Sequence, residues 1–280
     1  MQKLLAGLGA GASLLFFSNA ALADGYSAPV GYERAFSWTG FYIGAQGGAG
    51  WGTSEDSLKA FQTCVGVACT AVFPITPPGL LRDSYGINGF HGGGTIGFNW
   101  QTGPVVLGVE ADLSGSDLTG NGSCADSSGV VFGGISASCH TRLTSFGTVT
   151  GRLGFAATNR ALVFVKAGGA WGDFDRSVIV GTPVFGPGGV IAASASFSET
   201  RWGFTAGTGV EYALWRNWSA KIEYDFMDFD TSNENFRFSG PLISAGAVLN
   251  VHSGDREEVH VVRFGLNYKF GADCCAAPLK

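Results

Sequence analysis

The run from His260 to Phe270 reads His-Val-Val-Arg-Phe-Gly-Leu-Asn-Tyr-Lys-Phe, and it decides the fold. Side chains of an extended strand alternate between faces. Val262, Phe264, Leu266, Tyr268 and Phe270 therefore share one side, while Val261, Arg263, Gly265, Asn267 and Lys269 share the other. One face is oily and the other charged. In a water-soluble sheet the oily face would be covered, yet no helical period supplies a cover and the same alternation recurs along the chain. Lipid is the remaining solvent for that face. A sheet stands in lipid only when every edge is paired, so the strands are expected to close into a barrel.

Composition agrees. Charged residues are 14% of the 280-residue chain, against roughly 25% in ordinary soluble proteins. The 45 glycines and 13% aromatics favour turns and sheets. Beyond the leader no segment stays apolar long enough for a transmembrane helix, whereas a barrel spreads its hydrophobicity over alternate positions. A net charge of −5 offers no basic surface, which sets nucleic acid aside as a partner.

Lys3, the apolar run Leu4 to Phe17 and Ala21-Leu22-Ala23 form an export signal over residues 1–23, cut before Asp24. The alternative, a retained membrane helix, is poorly served by so short and glycine-rich a run. Residues 24–37 read as a periplasmic leader, 38–270 as an outer-membrane barrel and 271–280 as a periplasmic tail.

Within the barrel, Trp38 to Trp51 is the first strand. The second ends at Trp100 and turns through Gln101-Thr102-Gly103-Pro104 into a third, Val105 to Leu113. Leu143 to Phe155 and Leu162 to Trp171 form a hairpin about Ala157 to Arg160. Arg201 to Leu214 and Ala220 to Phe229 form another about Trp215 to Trp218. Between hairpins lie four long segments, Thr53–Ser84, Ser114–Thr141, Asp173–Ser198 and Thr231–Glu258. The first holds Pro74, Pro77 and Pro78, which no interior strand accepts. The expected fold is all-β: an eight-stranded antiparallel up-and-down transmembrane barrel with three short turns at one end and four long loops at the other.

The tryptophans are expected to form aromatic girdles. Trp38, Trp100, Trp215 and Trp218 fall at short-turn ends of strands, and Trp51, Trp171 and Trp202 at long-loop ends. Alternate positions place Glu110, Asp112, Arg152, Lys166, Arg201, Glu211, Lys221, Glu223, Asp225, Arg263 and Lys269 in the lumen. An eight-stranded lumen is just wide enough for side chains to fill, so these charges are expected to pair across it as a polar plug. A subset that rearranges to pass small ions is the alternative.

Cys64 and Cys69 lie in the first long segment and Cys124 and Cys139 in the second, which in an exported chain suggests two local disulfides. A zinc site with His140 lacks paired CxxC spacing. Cys274 and Cys275 are adjacent in the tail. His91 and His260 lie near the long-loop ends of strands, and Ser84 or Ser253 could supply a hydroxyl, but no motif binds them into a nucleophilic constellation. No catalytic residue, metal ligand or cofactor is therefore expected.

Trp38-Thr39-Gly40-Phe41-Tyr42-Ile43-Gly44, the glycine-rich run to Trp51 and the closing Val262 to Phe270 resemble the alphaproteobacterial outer-membrane immunogenic proteins. Those belong with the opacity-protein and OmpA-type eight-stranded barrels, often called porin family. The resemblance covers the mature chain in layout, with its specific motifs at the two ends. It implies a surface antigen of the Gram-negative outer membrane, with structural, envelope-integrity or adhesive work. It also implies that Tyr268 and Phe270 form the signal read by the outer-membrane assembly machinery, although here the chain continues to Lys280. A monomer is expected, in contact with outer-membrane lipid and lipopolysaccharide and, through its loops, with a host or neighbouring cell. The alternatives are a narrow passive pore for small ions or solutes and, third, a lipid-modifying enzyme.

Overall fold

A computed structural model describes the backbone of residues 36–65, 68–69, 73–74, 82–123, 136–183, 190–238 and 247–271, and the side chains of 36–55, 84–122, 138–179, 194–230 and 257–271. The expected signal, most of the leader, Cys124 and the tail cysteines lie outside the described residues. Eight long strands make the wall: β1 (Gly40–Val65), β4 (Arg82–Thr102), β5 (Val105–Ser123), β6 (Ser136–Ala156), β7 (Ala161–Pro183), β8 (Val190–Trp215), β9 (Trp218–Phe238) and β10 (Ala247–Lys269). Two-residue pieces, β2 (Ala68–Cys69) and β3 (Phe73–Pro74), pair with the far end of β1.

Each long strand runs antiparallel to the next, and β10 returns to β1 with Tyr42 opposite Lys269 and Val65 opposite Ala247. The wall is closed. At one end the turns are tight. Thr102 faces Val105 across Gly103, whose φ of 60° suits a residue without Cβ. Trp215 faces Trp218. In the third turn the Thr158 hydroxyl accepts hydrogen bonds from the amides of Arg160 and Ala161 at 3.2 and 2.9 Å.

The strands are 19 to 26 residues long, whereas about 9–11 suffice to cross a bilayer. They run deep into all four segments that the sequence marks as loops. Pro74 lies opposite Ala60 in the short piece β3, where its missing N–H is tolerated.

The cause is visible along β9. Up to Asp225 the inward side chains are Lys221, Glu223 and Asp225, and the outward ones are Ile222 and Tyr224. Past Phe226, which still faces outward, the inward ones are Met227 and Phe229, and the outward ones Asp228 and Asp230. The strand keeps its phase while its polarity inverts. β7 does the same: Lys166 is inside and Val165 outside, then Phe174 and Val178 are inside and Asp173 and Asp175 outside. Below the inversion the wall suits lipid; above it, the wall suits water and encloses an apolar core.

Candidate functional site

The lumen is stacked in layers. At the short-turn mouth Phe36, Trp38, Val106, Ala156, Leu162 and Ala213 form an apolar cluster. Trp38 departs from its expected girdle place: it is 3% exposed and packs edge-on to Phe36 at 4.7 Å. It precedes the first paired residue of β1, so strand alternation does not govern it. The chain folds under the barrel here, with the Phe36 amide donating to Asn159 O at 2.8 Å and the Trp38 amide to Gln101 Oε1 at 2.9 Å. Lys269 reaches the Ser37 carbonyl and lies over the Phe36 ring at 4.5 Å.

Above this cork sits a charge network. Lys166 Nζ lies 2.5 Å from Glu223, 3.2 Å from Glu110 and 3.5 Å from Asp225. Lys221 bridges Glu110 and Glu223 at 3.1 and 3.2 Å. Arg152 holds Glu211 at 2.5 Å with its guanidinium over the Phe164 ring. Arg263 spans Asp112 at 3.0 Å and Asp225 at 2.6 Å. Neutral groups complete the shell: Tyr42 donates to Glu110 at 2.7 Å, Asn267 to Glu211 at 2.8 Å and Thr148 to Asp112 at 2.5 Å. Room for these long side chains comes from facing glycines, since a Cβ on Gly97 would overlap Tyr42 and one on Gly207 would overlap Asp225.

Of the eleven charges assigned to the lumen by alternation, nine meet in this network. Lys269 belongs to the mouth, and Arg201 lies higher, 2.5 Å from Glu199. Between the two charged levels is an apolar layer that includes Ile87, Leu118, Leu143, Phe146, Phe174, Met227 and Phe229. Over it stands a second ionic level, in which Arg201 and Arg176 share Glu199 at 2.5 and 3.5 Å; alternation singles out only Arg201 there, because the rest falls in the long segments between hairpins. Arg176 pairs there with Glu257, which also accepts from Ser54 at 2.7 Å. The signal was available in the continued alternation of β7.

The other tryptophans lie on the outer wall. Trp51, Trp100, Trp202 and Trp215 are exposed, and Trp171 and Trp218 half-buried. Trp171 and Trp202 are paired at 6.1 Å. Tyr268 contacts the rings of Trp218 and Phe270, each at 5.2 Å, and the Phe270 amide donates to Phe41 O. His91 is buried in the lumen with its ring 5.3 Å from Phe146, whereas His260 bonds Tyr224 on the outer wall at 2.8 Å. Cys64 faces Cys69 in register.

A closed sheet, oily outside and charged inside over the span of one bilayer, defines a transmembrane β-barrel protein. The chain belongs to the outer membrane protein beta-barrel domain family, whose family model matches residues 10–270. It is similar to the 31 kDa outer-membrane immunogenic protein of Brucella melitensis, at 33% identity over 246 residues and 87% of each chain. It is also similar to the 22 kDa outer membrane protein of Rhizobium leguminosarum bv. viciae, at 28% identity over 208 residues, 74% of this chain and 70% of that one. Among solved structures, OprG from Pseudomonas aeruginosa aligns with a TM-score of 0.43 at 14% identity, over 85% of this chain and all of that one. The protein resides in the outer membrane of a Gram-negative bacterium. In that membrane short turns face the periplasm and the opposite end faces outward.

Proposed function

We propose that the protein is a closed, non-conducting barrel that stiffens the outer membrane and carries a rigid protruding surface into contact with the outside, as an antigen or adhesin does. The layering of the lumen carries this reading. An ion rising from the periplasm meets Phe36, Trp38 and Leu162, and above the charge network it meets Phe146, Phe174 and Phe229. Apolar constrictions of this kind close a pore because an ion cannot shed its water there cheaply.

Planar-bilayer recording of the refolded protein tests it. The expected trace is silent. Steady unitary conductance whose ion selectivity changes with Glu223→Ala would refute the reading in favour of a narrow passive pore.

The same proposal includes an export signal at residues 1–23, a monomer, and assembly-machinery recognition through Tyr268 and Phe270. It includes lipopolysaccharide against the outer wall and a host or neighbouring cell at the loops. Two loop disulfides belong to it as well, supported by the facing register of Cys64 and Cys69 and by Cys139 being engaged as a half-cystine. We assign the protein no catalysis, a reading supported by the packing of His91 against Phe146 and the pairing of His260 with Tyr224. Mass spectrometry of acyl products after incubation with lipid tests that assignment.

A further inference from the structure

The outer wall of β6, β7 and β8 just above the Trp171–Trp202 pair has no role in a bilayer core, because polarity has already inverted there. Strand register sets its side chains in rows. Asp173 faces Thr200, Asp175 faces Ser198 and Ser177 faces Ser196, while Arg142 lies beside Asp175 and His140 beside Ser177. A shallow groove crosses the face, lined by His140, Arg142, Asp175, Ser177, Ser196 and Ser198 among others.

The carboxylates are already oriented. Asp173 accepts from Thr200 at 2.6 Å and Ser145 at 2.7 Å, and Asp175 accepts from Ser198 at 2.5 Å. Arg142 is exposed and makes no ion pair among the described residues. Flat rows of hydroxyls and fixed carboxylates, about 4.8 Å apart between strands, match the hydroxyls of sugar rings. An unpaired guanidinium among them matches a phosphate or a sugar carboxylate. A protein partner fits poorly, since its binding would centre on buried aromatic or apolar anchors, and the large apolar side chain exposed in these rows is Ile179 alone among the described residues.

We infer that this face docks the phosphorylated core saccharide of lipopolysaccharide in the surrounding leaflet. The face continues directly from the lipid-facing wall, and Arg142 stands four residues above the level of Trp171, about 13 Å along the strand. That is headgroup depth, above the hydrocarbon. The inference rests on the proposal of a protruding barrel bordered by lipopolysaccharide and names the residues that would meet it.

Native mass spectrometry of the full-length folded protein tests it with three probes: core-bearing lipopolysaccharide, lipid A without core sugars, and soluble core oligosaccharide without acyl chains. Core-bearing lipopolysaccharide is expected to bind about tenfold tighter than lipid A. Arg142→Gln should remove that difference while leaving lipid A binding alone, and Asp230→Asn on β9 should change neither. Should Arg142→Gln fail to fold, Ser196→Glu, which sets a carboxylate against the anion, carries the same expectation. Equal binding of the two lipids to the native protein, or an unchanged preference in these variants, would overturn the inference. Soluble oligosaccharide binding as tightly as intact lipopolysaccharide would overturn the leaflet as the source. Conductance is not read here, so an open pore would leave this result intact.

Discussion

Arg263→Met should cost the barrel much of its stability. The network holds five carboxylates, Glu110, Asp112, Glu211, Glu223 and Asp225, against four cations, Arg152, Lys166, Lys221 and Arg263. Removing Arg263 takes the formal balance from −1 to −2. It strips Asp112 and Asp225 of contacts at 3.0 and 2.6 Å and Glu223 of one at 3.5 Å. Water cannot replace these contacts easily, because the network is capped by apolar layers. Leaving a buried partner uncompensated costs about 3–5 kcal/mol.

Urea titration in lipid vesicles, following the heat-modifiable folded band, reads this directly. A second variant separates charge from packing. Asp225→Asn in the Arg263→Met background restores the balance to −1 and should recover part of the loss, a coupling of about 0.5–3 kcal/mol. A loss below about 1 kcal/mol, the worth of an exposed pair, would refute the argument and mean that the lumen is wet.

Trp38→Ala should lower stability by about 3–5 kcal/mol, as large truncations in packed clusters do, and the urea midpoint checks it. Gly207→Ala should cost about 1–3 kcal/mol, because the added methyl overlaps Asp225 Oδ1 and the Tyr224 carbonyl lies 2.8 Å away; the same titration applies. Hydrogen bonds from Thr200, and then Ser145, hold the Asp173 carboxyl below its ordinary pKa. A depressed folded pKa contributes stability that is present above the unfolded value and lost as pH falls through the folded one. Carboxyl-carbon NMR should therefore show Asp173 titrating below ordinary aspartates, and Thr200→Val should move its midpoint up.

Much of this was legible in the sequence because a strand has only two faces. Alternation in the phase of His260 to Phe270 points Lys166, Glu223 and Arg263 inward, and each is buried. The upper half of the barrel was not legible by the same rule. The oily outward residues stop at Asp173 and Asp228, where the alternation continues with its signs exchanged, so the sequence pattern there reads as loop although the chain is strand. Trp38 departs from the girdle for a different reason: it lies outside the ladder, and its position is set by the chain folding under the barrel and packing on Phe36. The second ionic level of Arg176 and Glu257 escapes the rule because both residues fall in the segments that read as loop.

The inversion of polarity partway up β7 and β9 has a mechanical consequence. The protein cannot ride higher or lower in its bilayer, since a downward shift of one row would drag Asp173 and Asp228 into hydrocarbon and an upward shift would strand Trp202 and Phe204 in water. Its vertical seating is therefore rigid, and any mismatch in thickness must be absorbed by the lipids around it. Such a barrel acts as a gauge that imposes its own height on the membrane nearby.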